Sequence, residues 1–251
     1  MRTKFTEPLA LPPRPPRHGQ LTLLGAFDLS TAGEPLLLPR TAQRLLAFLG
    51  LASPVDRQTA AGRLWPDVTG PRAACSLRTA LAKVHRLAGK EGNGTTSAII
   101  REGTTLGLDA GITIDAQALR QVATQVAGST GSAVDAALRL LDLRGELLPS
   151  WDDEWLTIER EELREIRLQA LEQCSIRLCR SGSYAAAMML AYESLRSDPL
   201  RESAHRQLIA IHLAQGNRAQ ALEVYRACVR QLQRECGTSP SPLLRGLLTE
   251  R

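Results

Sequence analysis

The chain has 251 residues, of which 43% are apolar and 4% aromatic. That length suggests one large domain or two small ones, and the apolar share is enough for packed cores, so global disorder is excluded. The net charge of +5 is uneven: residues 1–110 carry 14 Lys and Arg against 8 Asp and Glu, and the remainder is nearly neutral, which suits the first part to a polyanion.

Met1–Gly19 holds five prolines and no apolar run that could serve as a signal peptide, so it reads as a disordered basic tail, with Arg14 and Arg17 within it. Gln20–Ser30 alternates apolar and polar residues and predicts a strand. A turn at Thr31–Glu34 and a second short apolar run, Pro35–Leu38, would complete a small antiparallel sheet. Ala42, Leu45, Leu46 and Leu49 recur at helical spacing and predict a helix over Thr41–Leu51, before Pro54. Asp56 is a plausible N-cap for a second helix, Arg57–Trp65, stopped by Pro66. Gly70-Pro71 opens a third, Arg72–Ala88, which Gly89 could cap. After a flexible Gly92-Asn93-Gly94, the apolar residues of Ser97–Leu108 around Glu102-Gly103 predict a β-hairpin. Sheet, three helices and hairpin make a winged helix-turn-helix over residues 20–110.

The rest, 111–251, reads as all-helical. Spacing predicts helices over Asp115–Ala127 and Ser132–Leu143, then a connector to Trp151. One long helix, Glu154–Ser181, follows, with Ile158, Leu163, Ile166, Leu168, Leu171, Ile176 and Leu178 as its apolar stripe. Three more are expected over Tyr184–Arg196, Arg201–Gln215 and Arg218–Glu235, then a short segment, Leu243–Leu248. Gly182 and Gly216 are 34 apart, as are Ala187 and Ala221. A 34-residue helical-hairpin period with small residues at the crossing is tetratricopeptide-like. The fold class is therefore mainly α, a winged helix-turn-helix with small antiparallel sheets followed by an all-α tetratricopeptide-like domain.

The third helix is the most informative segment. At 100° per residue, Leu77, Ala80, Leu81, Val84 and Ala88 share one side. Arg72, Cys75, Thr79, Lys83 and Arg86 lie on the other, flanked by Ser76 and Arg78. Pro71–Lys90 holds five basic residues and no acidic one. Such a helix fits a major groove, where guanidinium groups pair with guanine edges and Lys or Ser take phosphates. Arg101 in the wing, and Arg40 and Arg44 at the start of the first helix, are further phosphate candidates.

Little points to catalysis. His18, His85, His205 and His212 lack any HExxH or cysteine partner at ligand spacing, and no P-loop, G-x-S-x-G or G-x-G-x-x-G is present. Asp152-Asp153-Glu154 complements the dipole of the long helix. Trp151 and Trp155 are expected to plug the joint between connector and long helix. The five cysteines lack C-x-x-C spacing and read as reduced thiols, with Cys174 and Cys179 as packing residues. The sequence predicts no metal, no cofactor, no enzyme activity and no membrane span.

Several stretches together resemble the Streptomyces antibiotic regulatory protein family, an OmpR-type winged helix joined to a bacterial transcriptional activation domain. Leu23-Leu24-Gly25-Ala26-Phe27 followed by Pro39–Leu49 resembles its first strands and helix, and Leu64-Trp65-Pro66-Asp67 the end of its second helix. Ala73–Leu81 resembles its recognition helix. Trp155–Leu171 resembles the opening helix of the activation domain, and Asp198–Glu202 with Gln215–Leu222 its tetratricopeptide-like end. The wing departs from the pattern, because Gly103-Thr104-Thr105-Leu106 carries no aromatic. The resemblance implies a cytoplasmic, nucleoid-associated activator of a biosynthetic gene cluster. It implies binding to direct repeats in double-stranded promoter DNA near the −35 region as side-by-side protomers, and recruitment of RNA polymerase through its sigma or alpha subunits. The residues alone also allow a protein–protein adaptor with a degenerate winged domain.

Overall fold

The computed structural model describes residues 19–31, 33–91 and 98–247, so the tail with Arg14, Arg17 and His18 and the loop at Gly92–Gly94 lie outside the described residues. The chain divides into two units. One comprises the described residues up to Leu21 with Asp28–Ile114, and the other Thr22–Phe27 with the chain from Asp115 onward. The division differs from the sequence expectation at both joints. Residues 111–114 go with the first unit, and a six-residue piece of the N-terminal sheet region goes with the second.

In the first unit, β1 (Gly19–Thr22), β2 (Asp28–Thr31), β3 (Glu34–Pro35) and β7 (Ile112–Ile114) form one sheet in the order β3-β2-β1-β7. The strand expected over Gln20–Ser30 is two strands, with Leu23–Phe27 standing out of the sheet and Gly25 at φ +92°. The sheet is also not wholly antiparallel. β1 pairs β7 in parallel, Gly19 opposite Ile112 and Leu21 opposite Ile114. A parallel pair needs a long crossover, and the three helices and the wing supply it. Leu21, Leu29, Leu36 and Ile114 are buried.

α1 (Arg40–Ala52) buries Ala42, Leu45, Leu46 and Leu49, as their spacing predicts. Each such leucine, taken fully out of water, contributes about 1.5–3 kcal/mol. α2 (Arg57–Leu64) begins at Asp56, whose side chain accepts the Gln58 amide at 2.7 Å, as expected of an N-cap. Hydrogen bonds to the Gln58 backbone and the Thr104 hydroxyl hold the Asp56 carboxyl below the ordinary aspartate range. α3 (Gly70–Glu91) runs through Gly89, so that glycine does not end it. Ala60, Ala61 and Leu64 of α2 and Leu77, Ala80, Leu81 and Val84 of α3 are buried. The wing is a three-stranded sheet in the order β4-β6-β5, formed by β4 (Val55–Asp56), β5 (Ile99–Glu102) and β6 (Thr105–Leu108).

The second unit is built from helix pairs: α4 (Asp115–Ala127) with α5 (Ala133–Asp142), α6 (Leu156–Arg180) with α7 (Tyr184–Ser197), and α8 (Glu202–Ala214) with α9 (Arg218–Cys236). The short α10 (Pro242–Gly246) packs on α8. The corners at Gly182 and Gly216 are copies of one another. Both glycines sit near φ +80°, a conformation that costs other residues a Cβ clash. At one corner Ser183 N donates to Leu178 O and Ala187 N to Ser183 O. At the other, Asn217 N donates to His212 O and Ala221 N to Asn217 O. Ala187 and Ala221 are both 0% exposed, which is what lets the paired helices approach closely. The 34-residue period is thus a repeat of backbone geometry as well as of residue type.

α6 departs from the expected stripe. Leu163, Leu168, Leu171 and Leu178 are buried, but Ile158 is 76% exposed. Arg167, Cys174 and Ser175 are buried instead, because α4, α5, α7 and α8 all pack around this helix. Trp151 and Trp155 are buried in the connector, where Trp151 stacks on Phe27 with ring centroids 5.8 Å apart.

Candidate nucleic-acid interface

α3 presents two chemically distinct faces. Ala73, Leu77, Ala80, Leu81 and Val84 are buried, while Arg72, Cys75, Arg78, Thr79 and Arg86 are exposed and Ser76 and Lys83 are half-buried. Arg72, Arg78, Lys83 and Arg86 make no ion pair among the described residues. A solvated basic face of this kind, with no acid on the helix between Arg72 and Arg86, attracts a phosphate backbone. The Thr79 hydroxyl donates to Cys75 O at 3.1 Å, which commits its proton and leaves its oxygen as an acceptor. Arg78 also borders a groove of about 880 Å³ between α2 and α3, lined in part by Trp65, Pro66 and Pro71.

The wing holds Arg101 on β5, exposed and opposite Leu106 of β6, next to the turn at Gly103-Thr104. Gly103 has φ +60°, the left-handed value such a turn favours. Thr104 does what sequence reasoning did not foresee. Its carbonyl accepts the Arg57 amide at 2.9 Å, and its hydroxyl bonds Asp56. The wing turn is therefore tied to the start of α2. The β4 strand beside it, two residues long, is too short for a periodicity signal.

The two α1 arginines differ. Arg40 is exposed at the first residue of the helix. Arg44 donates from Nη2 to Leu64 O at 2.7 Å and lies over the Trp65 ring, 6.0 Å from its centroid. It ties α1 to the end of α2, and the structure gives it this packing role beside the phosphate role that sequence suggests.

Elsewhere the chemistry is structural. Among the described residues no group of three His, Cys, Asp or Glu could hold a metal ion, and no helix is long and apolar enough to cross a membrane. His205 is buried and contacts Pro199 O, and burial lowers its pKa. Cys174 and Cys228 are buried, Cys179 is half-buried, and Cys75 and Cys236 are exposed. Burial pushes the Cys228 thiol up to about 11. In the helical unit, Arg167 and Glu193 form a buried ion pair at 2.8 Å that no spacing in the sequence announces.

The chain belongs to the bacterial transcriptional activator domain family, whose model matches residues 110–250. Its fold is that of the solved structure of Mycobacterium tuberculosis EmbR in complex with a low affinity phosphopeptide, at a TM-score of 0.73 and 20% identity over 92% of this chain. That likeness shows a shared winged-helix and helical-repeat fold. The chain spans 64% of the length of that structure. No curated protein matches the chain.

Proposed function

We propose that the protein is a sequence-specific DNA-binding activator of the Streptomyces antibiotic regulatory protein type, acting on a biosynthetic gene cluster. Residues 20–110 read the operator, and 111–251 form the activation domain. α3 enters the major groove, where Arg72, Ser76, Arg78, Thr79, Lys83 and Arg86 meet bases and phosphates, while Arg101 in the wing and Arg40 and Arg44 on α1 meet the backbone. Side-by-side protomers on direct repeats near the −35 region recruit RNA polymerase through its sigma or alpha subunits. The protein works in the cytoplasm, at the nucleoid, without catalysis or cofactor.

The observation that carries this reading is the outward face of α3 from Arg72 to Arg86, basic and hydroxylic and free of acids. The test is selection from random duplex DNA at two salt concentrations. A short motif repeated at about one helical turn supports side-by-side protomers. Weak retention without a motif, vanishing as salt rises, means backbone attraction alone. It would turn the reading to a protein–protein adaptor acting through the helical half.

A further inference from the structure

The helical unit contains a pocket of about 570 Å³ that the DNA-binding reading does not use. Every residue lining it belongs to that unit. The size falls within the range of ligand-binding cavities. One part of the wall is apolar. Leu119, Leu147, Leu163 and Leu168 are each no more than 2% exposed. Leu24 closes it further, and the wall there is tightly built. Gly25 N donates to Glu146 O at 2.7 Å, and a Cβ on Gly145 would come within 3.2 Å of Gly25 N.

The other part is cationic. Arg144, Arg160, Arg164 and Arg167 all line the pocket. They are not equivalent. Arg167 is spent on Leu140 O, Leu143 O, Ser197 and Glu193. Arg164 faces Glu161 and Asp198. Arg160 donates from Nε and Nη2 to the carbonyls of Leu147, Leu148 and Trp151, which leaves Nη1 unspent among the described residues. Arg144 donates only from Nε, to Leu141 O, so both of its Nη groups are available. Two guanidinium edges with spare donors thus border a leucine-lined space. Two acids of the lining reach this cationic wall: Glu146 lies 3.8 Å from Arg160 Nε and Glu161 3.3 Å from Arg164, both more than half exposed, and neither pairs with Arg144. A planar carboxylate is the natural partner of such donors, and an apolar body the natural partner of the leucines.

We propose that this pocket binds an amphipathic organic carboxylate, with its acid on Arg144 and Arg160 and its apolar body against Leu119, Leu147, Leu163 and Leu168.

The test uses the full chain and two rigid probes, 2-naphthoate and biphenyl-4-carboxylate, against their uncharged amides. Binding is read by calorimetry and by the emission of the tryptophans, of which Trp151 offers its carbonyl to Arg160. Saturable binding of the acids, roughly tenfold or more tighter than the amides, supports the assignment. Arg144→Ala should abolish that preference, and Arg144→Glu should reverse it, both with unchanged circular dichroism. No saturable binding of either acid overturns the proposal. So does equal affinity for acids and amides, which would describe an apolar groove suited to a protein segment, and so does an acid preference that survives Arg144→Glu. No DNA is present in this test, so its failure and the failure of the DNA-binding reading are separate results.

Discussion

The Asp115 carboxylate receives the amide of Leu24 at 2.9 Å, across 91 residues of sequence. It also receives the amides of Leu23 and Ala116. One side chain at the first residue of α4 therefore satisfies the backbone of a segment that has just left the N-terminal sheet. Leu148 N donates to Leu23 O from the other side, so the segment is held at both edges.

Replacing Asp115 with alanine should cost about 1–3 kcal/mol, the range for half-buried donors left without a partner. Hydrogen exchange at the Leu23 and Leu24 amides should accelerate. Amides that stay as protected as in the parent protein would show that water or the neighbouring chain takes over the role.

The junction of α6 with α8 should govern part of the acid stability. Arg201 pairs with Glu165 at 2.8 Å and also bonds Glu172. The Arg201 guanidinium lowers the Glu165 carboxyl from 4.5 to about 2. A carboxylate depressed in the folded state adds stability that is complete above its unfolded value and is lost as pH falls through its folded value. The window is thus from about 4.5 down to about 2. Glu165→Gln should flatten urea-unfolding stability across that window and leave its shape near neutrality unchanged. The contribution is small, because Glu165 is 40% exposed. An acid limb as steep as in the parent would assign it to other carboxylates.

Two arginines of the winged unit should separate folding from DNA binding. Arg44→Ala removes a bond to Leu64 O and a cation on Trp65. It should lower stability by about 1–2 kcal/mol. Arg78→Ala removes no hydrogen bond or ion pair among the described residues and should leave the melting temperature unchanged. It should weaken operator binding by about 1–3 kcal/mol if Arg78 reads a base, or lower the salt slope by about one if it meets a phosphate. Full affinity in Arg78, Lys83, Arg72 and Arg86 variants alike would remove α3 from the interface.

The thiols offer a footprint. Cys75 and Cys236 are exposed, whereas Cys174 and Cys228 are buried and burial raises their pKa. Alkylation near neutral pH should reach Cys75 and Cys236 first. Operator DNA should slow Cys75 and spare Cys236, because only Cys75 lies on the outward face of α3. Equal rates with and without DNA would place that face away from the duplex.

Much of this architecture is written locally. α4 spans Asp115–Ala127, as its spacing predicts, and the buried and exposed sides of α3 follow from 100° per residue alone. The corners at Gly182 and Gly216 are legible because a helix end in the left-handed region favours glycine. What escaped depends on distant chain. β7 is three residues long, and nothing within Ile112–Ile114 says that its partner is β1. Phe27 reads as part of a strand, yet its partner is Trp151. A charged residue is usually exposed, and nothing in the sequence marks Arg167 as buried; Glu193, contributed by α7, makes its burial tolerable. Ile158 fits the helical stripe but precedes the stretch of α6 that its neighbours enclose. The exposed basic face followed from α3 itself, whereas the anchoring of the wing through Thr104 depends on a pairing with α2 that no local pattern encodes.

The assignment of Thr22–Phe27 to the helical unit means that the polypeptide passes between units three times rather than once. The two halves are therefore not cassettes on a string. A single recombination event near residue 114 would join a foreign winged unit to a helical unit that had lost its Leu23–Leu24 staple and the phenyl ring beneath Trp151. Exchanging the winged unit between such chains would require the hexapeptide to travel with the helices, a constraint that ties the inheritance of one half to the other.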